Sequence, residues 1–295
     1  MYDIEKFYQA ESIEDAIRAL KADPEAVVIS GGSDVLIKIR EGKMAGCSLV
    51  SIHGIDELEG ITVDEDGTIV IRPATSFSHI TNNEIIQKFI PILGDAVDQV
   101  GGPQVRNIGT IGGNVCNGVT SADSASSLFV LDARLELTGS NGVREIPIEE
   151  FYTGPGRTVR EQDELLTKIR IRKESYDNFG GHYIKYGKRN AMEIATLGCA
   201  ATVKLNAEKT HIEEMHLAYG VAAPTPMRCH KTEEKVKGMA VTSELFDIVG
   251  KGALEEVNPR SSWRASKEFR LQLVEELGKR AVKQAIVNAG GEMDA

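Results

Sequence analysis

The chain of 295 residues is 41% hydrophobic and 26% charged, and its formal net charge is −10. This length suits two domains of ordinary globular composition, and the negative charge, without a basic stripe between aromatics, argues against a nucleic-acid partner. No apolar run approaches the roughly 20 residues that cross a bilayer, and the N-terminus lacks the features of a signal peptide. We therefore expect a cytoplasmic protein with no membrane partner.

The first predicted elements lead into a pair of glycines. Ser12 precedes apolar residues at helical spacing, which predicts a helix that begins there and ends at Asp23-Pro24. The apolar run 27–29 predicts a buried strand, and Gly31-Gly32 follows it directly. A glycine pair in this place is most often an ordinary turn. The alternative is a nest of backbone N–H groups that binds an anion, with the Ser33 hydroxyl as a further donor.

Strands and helices are mixed through the rest of the first half. The turn chemistry of 64–67 predicts a hairpin, and Pro91 interrupts or bends a predicted helix. The predicted strands are 49–52, 61–63, 68–71, 135–137, 145–148 and 165–171, and the predicted helices are 84–100 and 123–131.

The polar run 173–181 is the best candidate for a domain boundary. Beyond it, two predicted strands at 200–205 and 215–221 precede two helical regions. The last helix is long, because apolar residues from 273 to 289 repeat every three or four positions. Strands followed by helices predict a small α+β domain in this half of the chain.

A second glycine-rich segment, which we expect to form a loop, is the most informative feature of the sequence. Six glycines fall between residues 101 and 118, and glycine permits both close backbone approach and positive φ. Thr110, Gly112-Gly113 and Asn114 combine a hydroxyl, two permissive backbone positions and an amide, which suit phosphate and ribityl oxygens. Together with Gly31-Gly32, this segment could hold a diphosphate from both sides.

Four single residues have two interpretations each. Asp123 either accepts hydrogen bonds from a cofactor or caps a helix. Arg106 is a partner for phosphate or part of a surface salt bridge. Cys116 is favoured as a small packing residue, since nothing marks it as an activated thiolate. Trp263 is favoured as a core anchor for the last helix over a residue that docks a partner.

The cysteines and histidines predict no metal site. Cys47, Cys116, Cys199 and Cys229 are far apart, without a C-x-x-C pair, and a chain of this size needs no disulfide framework. The six histidines contain no H-E-x-x-H pattern. A G-x-S-x-G elbow is also absent, so a hydrolase would lack its nucleophile.

Residues 28–35 and 106–114 resemble, in this order, the two flavin-binding signatures of the FAD-binding subunits of bacterial molybdenum hydroxylases. Shorter stretches at 117–118, 121–123, 154–156 and 261–266 are similar to the FAD subunits of bacterial xanthine dehydrogenases in particular. The resemblance covers essentially the whole chain.

The resemblance implies an α+β fold. A two-part FAD-binding domain of the vanillyl-alcohol-oxidase (PCMH) type would occupy residues 1–176, divided near residue 55, and a smaller α+β C-terminal domain would occupy 177–295. By the same resemblance, Asp123 would hydrogen-bond the FAD, while Leu166 and Lys185 would lie against the flavin or its edge. The residues expected around the pyrophosphate and ribityl chain are Val28, Ile29, Ser30, Gly31, Gly32, Ser33, Asp34, Val35, Thr110, Ile111, Gly112, Gly113 and Asn114.

The function implied is electron transfer in a complex. FAD in this chain would take electrons from [2Fe–2S] clusters and pass them to NAD⁺. An iron–sulfur subunit and a molybdopterin-binding subunit would complete a heterotrimer that oxidises a purine. The alternatives are a related hydroxylase that acts on carbon monoxide, nicotinate or an aldehyde, a stand-alone flavin-dependent reductase, and a scaffold that has lost its cofactor.

Overall fold

The structure is a computed structural model that describes residues 2–292. Its first layer is a small parallel sheet in which the third strand along the chain lies between the other two. The first helix begins where the sequence predicts, because Ser12 Oγ accepts a hydrogen bond from the Asp15 backbone N–H at 3.1 Å. The elements are β1 (Ile4–Gln9), α1 (Ile13–Ala22), β2 (Val27–Ile29), α2 (Val35–Arg40) and β3 (Cys47–Ser51).

The second layer is an antiparallel five-stranded sheet covered by helices. Its strands are β4 (Ile61–Val63), β5 (Ile69–Ile71), β6 (Arg134–Gly139), β7 (Gly142–Pro147) and β10 (Leu165–Ile171), in the order β4-β5-β10-β6-β7. A separate two-stranded ribbon is formed by β8 (Tyr152–Gly154) and β9 (Arg157–Thr158). The helices are α3 (Phe77–Thr81), α4 (Glu84–Phe89), α5 (Pro91–Asp98), α6 (Pro103–Ile108), α7 (Ile111–Cys116) and α8 (Asp123–Val130). The predicted interruption at Pro91 is confirmed, since α5 starts there.

The C-terminal part is an antiparallel four-stranded sheet with helices on it. Its elements are β11 (Phe179–Tyr186), β12 (Leu197–Leu205), β13 (Ile212–Gly220), β14 (Met227–Arg228), α9 (His230–Val236), α10 (Ser243–Glu256) and α11 (Lys267–Asn288). The apolar repeat predicted for the last helix is buried against the sheet. The core around the second layer also takes in Tyr183, Ala200 and Ala218 from this sheet, so the two parts are packed together.

Three details differ from the sequence predictions. The glycine-rich segment was expected to be a loop, but it contains α6 and α7. Gly112 and Gly113 lie within α7 and not at positive φ, because Thr110 caps this short helix. The polar run 173–181 already contains the start of β11, and three helices rather than two follow the strands. The domain boundary at 176/177 stays a prediction. No described helix is long and apolar enough to span a membrane.

Candidate cofactor-binding site

One large cavity lies between the parallel sheet, the five-stranded sheet with its helices, and the loop that joins β11 to β12. Its volume is about 630 Å³, within the range of about 300–1,000 Å³ that is usual for ligand sites. Its wall includes residues of both glycine-rich segments, the first residues of α8 and β10, and residues 192–194. Parts of the chain more than 160 residues apart in sequence therefore meet at one concave surface.

The first glycine segment, defined here as residues 30–34, has several polar groups without a partner among residues 2–292. Within the described part of the chain, the backbone N–H groups of Gly31, Gly32, Ser33 and Asp34 have no acceptor, and the buried Ser30 Oγ has no hydrogen-bond partner. All five residues line the cavity. Buried polar groups are normally paired, so the unpaired Ser30 hydroxyl, beside four N–H groups at the cavity wall that have no acceptor in the described chain, suits this wall to a ligand that brings acceptor oxygens.

The two glycine segments touch backbone to backbone. A Cβ added at Gly31 would lie 1.8 Å from the carbonyl oxygen of Ile108, at the end of α6. Gly32 has a φ of +71°, which lets the chain turn between β2 and α2. Glycine is therefore needed at Gly31 for close approach and at Gly32 for backbone conformation.

The second segment contributes side chains rather than free backbone donors. Thr110 Oγ1 accepts from the Gly113 N–H at 3.2 Å, while the N–H groups of Ile111 and Gly112 donate to carbonyls of residues 75 and 73. The first turn of α7 is thus satisfied within the protein. Asn114 Oδ1 accepts from a serine hydroxyl of α8 at 2.6 Å, and its Nδ2 has no acceptor within residues 2–292. That amide lies at the cavity wall.

Asp123 begins α8 and points its carboxylate into a buried network. Its oxygens accept hydrogen bonds from Tyr183 Oη at 2.9 Å and from Lys185 Nζ at 2.8 Å. Burial raises the pKa of Asp123 above 3.8, and the charge and hydrogen bond of Lys185 and the Tyr183 hydroxyl oppose that rise. The helix-cap interpretation fails, because the cap residue is Ala122 and no side chain caps α8.

Thirteen of the sixteen residues predicted for the site line this cavity. They are Val28, Ser30, Gly31, Gly32, Ser33, Asp34, Val35, Thr110, Gly112, Gly113, Asn114, Asp123 and Leu166. The other three lie elsewhere: Ile29 and Ile111 are buried in apolar cores. Lys185 lies behind Asp123 and donates a second hydrogen bond to the carbonyl oxygen of Gln99 at 2.8 Å.

Sequence reasoning missed the cavity's positive charges. Of the described residues that line it, two are cationic, Lys38 and Arg160. Arg106, considered for this role from the sequence, does not line the cavity and pairs with Asp98 at 3.2 Å. Lys38 lies one helical turn after Asp34, a spacing that could have suggested it.

Cys116 and Trp263 lie in contrasting environments. Cys116 lines the cavity, and burial raises its thiol pKa to about 11, so it is a protonated packing residue at neutral pH. The preferred interpretation of Trp263 is wrong. This residue is 78% exposed, with the guanidinium of Arg264 stacked 4.3 Å from the ring centroid. Among residues 2–292, no group of three or more His, Cys, Asp or Glu side chains is placed to hold a metal ion.

The comparisons with known proteins agree with the cavity's construction. Residues 2–173 match the model of the FAD binding domain in molybdopterin dehydrogenase, and residues 182–285 match that of the CO dehydrogenase flavoprotein C-terminal domain. The chain therefore belongs to the family of FAD-binding subunits of molybdenum hydroxylases, and it is an oxidoreductase subunit.

Within this family, the chain has higher sequence identity to a xanthine dehydrogenase FAD-binding subunit than to a glyceraldehyde dehydrogenase medium chain. The chain is 40% identical to the xanthine dehydrogenase FAD-binding subunit of Escherichia coli O157:H7, over 99% of this chain and 100% of the relative. It is 28% identical to the glyceraldehyde dehydrogenase medium chain of Sulfolobus acidocaldarius, over 96% and 99% of the two chains. The predicted family is confirmed.

The fold is shared with a solved structure. A chain of carbon monoxide dehydrogenase from Hydrogenophaga pseudoflava superposes with a TM-score of 0.92 at 25% identity, over 98% of this chain and 99% of the other. The predicted α+β class, a PCMH-type FAD-binding domain followed by a smaller domain, is confirmed.

Proposed function

We propose that this chain binds FAD in the cavity and is the electron-transfer subunit of a xanthine dehydrogenase-like complex. In this proposal a partner subunit with [2Fe–2S] clusters supplies electrons, another binds molybdopterin and oxidises the substrate, and NAD⁺ is the final acceptor. The observation that carries the proposal is the row of unpaired donors in the first glycine segment, Ser30 Oγ and the N–H groups of 31–34.

The residues present fit a flavin dinucleotide. The free N–H groups of 31–34 and the Ser30 hydroxyl would donate to diphosphate oxygens, as in anion-binding nests. Asn114 Nδ2 would donate to the polyol chain, and Leu166 offers an apolar surface for an aromatic ring system. The carboxylate of Asp123 is held still by two hydrogen bonds, so it would accept from a ring N–H without reorganising.

Bound FAD supplies one-electron and two-electron redox chemistry, which suits a subunit between single-electron clusters and a two-electron acceptor. The protein's own part is to bind and orient the ring and to leave it accessible. Relatives named as subunits and medium chains support a partner-dependent role.

The test is purification of the chain with its native partners, followed by cofactor analysis of each separated subunit. We expect one FAD per copy of this chain, iron and molybdenum on the other subunits, and reduction of NAD⁺ when the complex is given xanthine. A well-folded chain that takes up no FAD in excess cofactor would refute the proposal.

A second candidate is the same subunit in a hydroxylase for another substrate. Relatives named nicotinate dehydrogenase FAD-subunit, at 30% identity over 84% of the chain, and carbon monoxide dehydrogenase medium chain, at 27%, keep it open. Turnover of the complex with nicotinate, carbon monoxide or glyceraldehyde, but not with xanthine, would favour it.

A further inference from the structure

Lys38 occupies a position that connects the two glycine segments. It lies on α2, one turn after the first segment, and its Nζ donates to Asn117 Oδ1 at 2.8 Å across 79 residues of sequence. The same Nζ lies 2.5 Å from Asp34 Oδ2. Lys38, Asp34 and Asn117 all line the cavity. The ammonium group is therefore at the cavity wall, between the end of the first segment and the end of α7.

The charge of Asp34 would oppose an anion on the first glycine segment unless a cation lies beside it. Its carboxylate belongs to a residue whose own N–H is one of the free donors of the first segment. An anion on that row would be repelled by a carboxylate so close, although water weakens the repulsion because about half of the Asp34 side chain is exposed. The ion pair with Lys38 reduces this repulsion further.

Lys38 also keeps binding capacity of its own. An ammonium group has three N–H donors, and Asn117 and Asp34 account for two of them. The other cation of the wall, Arg160, uses its Nη1 on the carbonyl oxygens of residues 161, 162 and 164. Lys38 lies beside the row of free N–H groups, since its Nζ contacts the carboxylate of Asp34.

We propose that Lys38 is a diphosphate-binding residue of this site, which neutralises Asp34 and donates its remaining N–H to the diphosphate of the dinucleotide. The inference rests on the proposed function, since it assigns part of the cavity to the phosphate portion of FAD. It predicts that charge at position 38 affects cofactor affinity and has little effect on folding, because Lys38 and Asp34 are partly exposed.

The experiment is a fluorescence titration of the FAD-depleted full-length chain with FAD, for the wild type and four variants. Lys38→Met should raise the dissociation constant of FAD by about 10- to 100-fold, the effect of losing one charge-assisted hydrogen bond and leaving Asp34 unpaired. Lys38→Arg should restore most of the affinity. The double variant Asp34→Asn/Lys38→Met should bind more tightly than Lys38→Met alone, because the repulsive carboxylate is gone.

The matched control is Lys43→Met, which removes a lysine close in sequence that pairs with Glu41 at 2.7 Å and does not line the cavity. Its FAD affinity should be unchanged. Melting temperatures of the cofactor-free chains are measured in parallel and should agree among all variants.

Each outcome is decisive. An FAD affinity of Lys38→Met within about twofold of the wild type, or an equal loss in Lys43→Met, overturns the inference and leaves the proposed function standing. A fall in melting temperature shared by all Lys38 variants, with no recovery in the double variant, assigns Lys38 a structural role and also overturns it. Failure of the wild type to bind FAD refutes the proposed function instead.

Discussion

The contact between the two glycine segments makes Gly31→Ala a stringent test of the site. The added Cβ would lie 1.8 Å from Ile108 O, 2.6 Å from the carbonyl carbon of the same residue and 3.2 Å from Gly109 Cα. Ordinary van der Waals contact begins at 3.4 Å. The backbones must therefore separate by about 1.6 Å at the oxygen, and no flexible side chain is available to absorb the change.

The expected cost follows from this geometry. Overpacking a well-packed interior by one methyl group destabilises a protein by about 1–3 kcal/mol, and a clash between two backbones belongs at the upper end. We expect a loss of about 3 kcal/mol in the free energy of unfolding. Because the displaced residues include the free N–H groups of 31–34, FAD affinity should also fall by about 100-fold, the value of one or two charge-assisted hydrogen bonds.

The assay is urea unfolding of the cofactor-free chain, followed by titration of the folded protein with FAD. Gly154→Ala is the control, because a Cβ there meets nothing within 4 Å and its φ is not positive. It should change stability by less than about 0.5 kcal/mol. If Gly31→Ala is as stable as this control and binds FAD with wild-type affinity, the argument from backbone contact is wrong.

Three further changes test other parts of the structure. Ser30→Ala removes a buried hydroxyl that has no partner in the described part of the protein. The free energy of unfolding of the cofactor-free chain should therefore rise by about 1 kcal/mol, while FAD affinity should fall severalfold. Unchanged FAD affinity would contradict the role of Ser30. For His230, burial lowers the pKa, but the hydrogen bond to Glu149 and nearby carboxylate charges outweigh it and raise the pKa above 6.5. Protonated His230 therefore stabilises the folded state fully below pH 6.5, and this contribution is lost as the pH rises through the folded-state pKa. His230→Gln should lower the free energy of unfolding more at about pH 6 than at about pH 8.5. The His230–Glu149 pair is largely exposed and contributes less than about 1 kcal/mol to the free energy of unfolding. A loss of stability in His230→Gln that does not change with pH would contradict this assignment. Trp263→Ala should alter the free energy of unfolding by less than about 0.5 kcal/mol, because 78% of the residue is exposed. A loss of about 2 kcal/mol or more would instead support a core position for Trp263.

Local pattern was sufficient for much of the fold. The helix capped by Ser12, the break at Pro91 and the long last helix all lie where the sequence predicts them. Each depends on short-range chemistry: a side chain that caps a helix, a ring that removes an N–H, or an apolar repeat with the period of one helix face.

The second glycine segment shows where local reasoning ends. Its glycines suggested a loop, but α7 forms because Thr110 caps it and because carbonyls of residues 73 and 75 accept its first N–H groups. Gly112 is glycine because a Cβ would lie 2.3 Å from the Cβ of Pro73. That neighbour is almost 40 residues earlier in the chain, so no local pattern could reveal the reason.

The sequence by itself determined the family, the two glycine segments and thirteen of the residues that line the cavity, because glycine and small polar residues at fixed spacing are typical of a backbone that a ligand approaches closely. Only the tertiary structure decided which donors are free, that Lys185 acts behind Asp123, and that Lys38 rather than Arg106 supplies positive charge. An N–H group that donates to an acceptor in the protein is not available to a ligand, whether that acceptor is near or far in the sequence. The groups left for a cofactor are therefore known only when every long-range partner is in place.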